Sequence, residues 1–224
     1  MEQVRHPKLE PGYCEWGSTG CGSTQPLGEL ARPTVVLVAG RKDREVADKY
    51  TGLKRTIWGT VFLGLGLGGF FDGIVLHQIL QWHHMMSQVE PVTTVAGLKI
   101  NTLADGLFHG ATYLFTLLGI WLVWSDPRPP HLRLATRLLI GGVLAGWGLF
   151  NLLEGIVDHE ILGIHHVNET VPQSQWLYWD VGFLVWGAIM LIGGLMLLRA
   201  GDREVREKAT AGESERRTRS SLAG

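Results

Sequence analysis

Four apolar stretches, roughly 56–82, 103–125, 134–163 and 176–198, are each long enough to cross a hydrocarbon core. Such a crossing takes about 20 residues at roughly 1.5 Å of helical rise each. Water is absent there, so each backbone N–H and C=O must be satisfied within the segment, and only a helix does this for a lone span. The chain of 224 residues is 46% hydrophobic and 18% charged, nearly soluble figures that arise because polar ends dilute an apolar middle. The expected fold is an all-α membrane bundle of four transmembrane helices. The first fifty residues show no apolar core beside a cleavage site, so no signal peptide is expected.

Lys and Arg in the short flanks set the orientation. Arg41, Lys42, Arg44, Lys49, Lys54 and Arg55 precede the first span, Arg128, Arg133 and Arg137 lie around the middle loop, and Arg199, Arg203, Arg206 and Lys208 follow the last. The two remaining loops hold only Lys99, so thirteen against one places both termini in the cytoplasm. The loops at about 84–101 and 166–176 are expected to face outward. Residues 1–54 and 201–224 read as largely disordered cytoplasmic tails, rich in Gly, Ser, Thr or mixed charge. Residues 34–39 could form a strand or a turn. Cys14 and Cys21 fall on the reducing side, where a disulfide is disfavoured, and their spacing suits zinc poorly.

Within the 55–200 core the chain repeats itself. A shift of 82 residues lays 55–84 on 137–166 with fourteen identities in thirty, among them Gly64/Gly146, His77/His159, His83/His165 and His84/His166. Asp72 meets Glu154 in this alignment. At a shift of 75, Asp105 and Phe108 meet Asp180 and Phe183. Two tandem two-helix units, about 55–125 and 134–200, would run in the same direction and pack about an axis along the membrane normal. Gly64-x-x-x-Gly68 and Gly142-x-x-x-Gly146 offer small faces for close helix approach.

Ionisable groups inside such spans are costly, about 2.5–3.5 kcal/mol for an Asp at mid-helix, and point to function. Asp72 precedes Trp82 by ten residues, roughly 15 Å of helix. His77 lies between them. Asp105 and His109 reach a similar depth from the second span, as do Asn151, Glu154, Asp158, His159 and Asp180 in the second unit. His83, His84, His165 and His166 are expected to rim the site. Seven of the nine histidines therefore share one outward layer. At about 100° per residue, His77 stands about 140° from Asp72, so one unkinked α-helix cannot aim both at one point. The Asp72 and Glu154 faces are expected to meet. His77 and His159 either join them through neighbouring helices or form a second cluster.

Imidazole and carboxylate without thiolate suit Zn, Fe, Cu(II) or Mn. Asp72, His77, His109, Glu154 and His159 are the leading ligand candidates, with Asp105, Asp158 and Asp180 as further ligands or as partners that orient the imidazoles. His83-His84-Met85-Met86 hints at copper, but His165-His166-Val167-Asn168 drops the sulphur. The ion is therefore Cu, Fe or Zn without distinction. Crowding of ligands at the rim favours metal handling or delivery to extracytoplasmic metalloproteins. Three alternatives stay open: a membrane metalloenzyme, a haem-binding electron carrier with His77 and His159 as axial ligands, and a metal-free protein with buried Asp–His pairs. Beyond the bilayer nothing suggests a nucleic-acid partner, and catalytic residues cannot be named.

The strings Phe71-Asp-Gly-Ile-Val-Leu-His77-Gln-Ile-Leu-Gln-Trp-His-His-Met85, Asp105-Gly-Leu-Phe-His109 and Asn151-Leu-Leu-Glu-Gly-Ile-Val-Asp-His159 resemble a family of bacterial predicted membrane proteins with a domain of unknown function. The likeness covers about residues 55–200. It implies a four-helix inner-membrane protein and no particular activity.

Overall fold

The computed structural model describes residues 41–130 and 134–222. Helix α1 runs Arg41–Phe71 and continues as a π-helical turn over Asp72–Ile79. Helix α2 spans Val95–Trp124, and α3 spans Thr136–Glu154 before a second π-helical turn at Gly155–Ile161. A short 3₁₀ turn at Gln173–Gln175 leads into α4, Trp176–Leu222. Among the described residues there is no strand. Four helices among the described residues are long and apolar enough to span a membrane: Thr51–Ile79, Val95–Trp124, Thr136–Ile161 and Gln173–Gly212.

Each end extends further as helix than the charge pattern suggests. Helix α1 already begins at Arg41, and α4 continues to Leu222 where a disordered tail is expected after about Arg203. Pairs four residues apart lace this last stretch, Asp202–Arg206, Glu204–Lys208 and Glu215–Arg219, and such pairs favour helix in polar sequence. Cys14, Cys21, His6, His131 and the 34–39 run lie outside the described residues.

Helices α1 and α3 form the central pair, with α2 against α1 and α4 against α3. The central crossing depends on two glycines. A Cβ on Gly64 would stand 2.8 Å from the Gly146 Cα, and one on Gly146 would stand 2.9 Å from the Gly64 Cα. Backbones can approach this closely only without side chains, and dispersion then holds the pair where lipid supplies no hydrophobic drive. At the basic end, Leu53, Leu138, Ala145, Leu198 and Val205 make a small apolar core. There the α2–α3 loop folds back onto α1, where Thr56 donates to Asp126 at 2.5 Å and Arg128 pairs with the same carboxylate at 2.6 Å. Burial alone would raise the Asp126 carboxyl, but the hydrogen bonds from Arg128 and Thr56 outweigh it and hold it below the usual carboxylate range.

Candidate metal centre

The two π-turns decide the geometry. A π-helix bonds i to i+5, so residues five apart fall on one face rather than on opposed ones. Asp72 and His77 are spaced in that way, as are Glu154 and His159. With the wider turn, the His77 Nε2 comes within 2.9 Å of the Asp72 Oδ2. The expected 140° separation is a property of α winding and does not apply here. Backbone bonds Leu80 N to Val75 O and Leu162 N to Val157 O, both 2.8 Å, close the two turns.

The chain then reverses sharply. Gln81 (φ 50°) and Gly163 (φ 56°) take left-handed conformations. These reversals fold the following His-His pairs back over the π-turns. His83 and His165 therefore do not rim the site; they are buried at its centre, their rings stacked at 4.6 Å with planes 2° apart. His84 and His166 remain half-buried towards the surface.

Hydrogen bonds settle which ring nitrogens face inward. The Nδ1 of His83 donates to the Val167 carbonyl at 2.9 Å, and the Nδ1 of His165 donates to the Met85 carbonyl at 3.1 Å. A carbonyl can only accept, so each Nδ1 carries the proton and each Nε2 keeps its lone pair. His77 differs: its Nδ1 stands 3.0 Å from Asp105 and its Nε2 2.9 Å from Asp72, so both of its nitrogens face a carboxylate. Burial, the largest influence, lowers His83 to about 4 against partial opposition from Asp72. Burial, reinforced by His83 and His159, holds His165 well below its usual value. Both rings are thus neutral at physiological pH, the form that binds metal.

These lone pairs converge. One ligand atom from each of His77, His83, Glu154 and His165 lies within 4.8 Å of the others, so this group could hold a metal ion. None of the four residues exposes more than 4% of its surface. The Nε2 atoms of His83 and His165 and both Glu154 oxygens are buried without a hydrogen-bond partner. Such groups cost roughly 1–3 kcal/mol each when left unpaired. The Asp72 and Glu154 carboxyls interact in a dry interior, where a shared proton or a bound cation relieves the repulsion between them.

Asp105 and Asp180 stand behind the imidazoles. Asp105 accepts from His77, from His84 at 2.7 Å and from the Met85 amide at 2.9 Å. Asp180 accepts from His166 at 2.7 Å and from the Val167 amide at 3.0 Å, with the His159 Nδ1 at 3.6 Å. His159 is buried against His165, their ring centres 4.8 Å apart, and neither of its nitrogens has a hydrogen-bond partner. His109 stands outside the group: its Nδ1 donates to the Asp105 backbone carbonyl one turn back on α2. Asp158 is half-buried within electrostatic reach of Asp72. Met85 enters the site through its backbone, as its aligned residue Val167 also does.

The sequence profile of the family described as Predicted membrane protein (DUF2243) matches residues 59–201. The chain belongs to that family. The DUF2243 match covers the second and third spans, most of the first and fourth, and every residue of the convergent group. No curated protein and no solved structure matches the chain significantly.

Proposed function

We propose that this protein is a membrane metalloprotein that keeps a transition-metal ion on His77, His83, Glu154 and His165. The carrying observation is the pair of imidazoles, His83 and His165, whose Nδ1 protons are committed to backbone carbonyls while their Nε2 lone pairs, unpartnered, converge with His77 and Glu154 on one buried spot. Metal-ligating histidines are ordinarily oriented in this way through the other ring nitrogen. Three imidazoles and a carboxylate suit Zn, Fe or Cu(II). Once bound, such an ion would supply Lewis acidity or, if Fe or Cu, electron transfer.

Burial bears on what the ion is for. Delivery calls for exposed ligands that can be handed over one at a time, whereas these are shut away. The arrangement favours an ion that stays, as in an enzyme or electron-transfer centre, over metal delivery. The stacked pair His83 and His165 also fills the space a haem plane would need between the rings. The basic flanks support a topology with both termini and the middle loop in the cytoplasm and the buried centre towards the extracytoplasmic side of a bacterial inner membrane.

Elemental analysis and an absorption spectrum of detergent-purified protein test this reading. The expected result is a stoichiometric metal that His83→Ala and His165→Ala each lose. Protein that is metal-free from several growth media would overturn it, and a Soret band would replace it with haem. Orientation has its own check: Cys14 and Cys21 should resist an impermeant thiol reagent in sealed right-side-out vesicles.

A further inference from the structure

Asp72 is a buried acid outside the four-residue group. Its surface is 2% exposed, and its Oδ2 stands 2.9 Å from the His77 Nε2. That carboxylate lines a second feature, a cavity of about 390 Å³ between the π-turn of α1, α3 and the start of α4. No close packing joins α1 to α4, which leaves this gap on the flank of the bundle. Its walls are aromatic: Trp82, Trp147, Trp179, Phe183 and Trp186, with Tyr178. Leu80, Tyr178 and Trp186 are exposed at its mouth. Phe183 and Trp186 lie within a membrane span, so the opening faces the bilayer and its ligand arrives through lipid.

The size falls within the usual range for small-molecule sites, about 300–1,000 Å³. The lining chooses among lipid-soluble candidates. Aromatic walls favour a flat ring by offset or edge-to-face contacts. An ionised carboxylate accepts only, so it selects a ligand with an O–H to donate. An acyl chain would fill the volume but would bring no donor to the acid in its wall. We propose that this cavity binds a lipid-soluble aromatic alcohol of the phenol or quinol type, its hydroxyl donating to Asp72 beside the His77 imidazole. The site needs no metal to exist, so it stands or falls apart from the metal reading.

Gly182 gives the test a clean handle. It lines the cavity, and a Cβ built there meets nothing within 4 Å, so a larger side chain would grow into the empty space. The full chain in lipid nanodiscs is titrated with 4-decylphenol, with its methyl ether 4-decylanisole and with 1-dodecanol, reading quenching of the wall tryptophans. The phenol should saturate and bind at least about ten-fold tighter than either comparison, in line with loss of a hydrogen bond to a charged acceptor. Gly182→Phe, and Gly182→Leu as a milder filling, should remove the saturable phase while metal content stays the same. Asp72→Leu should bring the phenol down to the affinity of the ether. Equal affinities for phenol and ether would reduce the cavity to a slot for acyl chains, and equal affinities for phenol and dodecanol would remove the aromatic class. Binding unchanged in both Gly182 variants would place the ligand elsewhere. Metal-free protein that still binds the phenol would overturn the metal centre alone.

Discussion

His83 and His165 owe their role to a backbone acceptor rather than to their own position in a helix. Each reaches the centre because Gln81 and Gly163 turn the chain back, and each is fixed by a carbonyl from the opposite loop. Depth counted along a straight helix puts them at the membrane surface, so their burial was not legible from spacing. The carboxylates Asp72 and Glu154 were legible, since an acid within an apolar run needs a reason. Asp105 carries the sharpest prediction at this scale. It holds His77, His84 and the Met85 amide together. Asp105→Asn keeps the shape but loses the charge and one acceptor. Metal affinity should fall by about 10–100-fold with little change in helix content, as for other outer partners of ligating histidines. Competition with a chelator, read beside circular dichroism, checks it.

The four spans could be read from apolar length alone, because a bilayer leaves the backbone one solution. Their π-helical ends could not. No residue propensity marks a π-turn, and the spacing of five between acid and histidine looks like mismatch as long as 3.6 residues per turn is assumed. One extra residue per turn is what unites Asp72 with His77. Deleting Val75 should let the segment relax to α-helix, with Leu76 and His77 each moving one place back. His77 would then sit four residues after Asp72 and would lose its registry with Asp105. The expected outcome is a folded, membrane-inserted protein that no longer retains metal. Retention of a full complement of metal by the deletion would show that π winding is incidental. At the crossing of α1 and α3, Gly64 and Gly146 were visible as small-residue motifs, and their partners follow from the structure.

Across the whole molecule, the end with the charged clamp and the end with the histidines are stabilised by different chemistry and should respond differently to acid. Asp126 has its carboxyl held below the usual range, so its contribution to stability is complete above the unfolded value of 3.8 and fades as pH drops through the lower folded value. Wild-type protein should therefore lose thermal stability below about pH 4 through this group, while Asp126→Asn, already weaker at pH 7, should show a flatter acid limb. Thermal unfolding in detergent between pH 3 and 7 measures this, and parallel curves would dismiss the clamp. The crossed carbonyls at the other end have a larger consequence. Val167 steadies the ring of His83 and Met85 steadies that of His165, so the central imidazole of each moiety is clasped by the other. Severing the polypeptide between Pro130 and Leu134 and producing the pieces separately should yield two inert fragments, whereas co-production should restore cofactor capture. Such reciprocity makes loading a report that both pieces have docked.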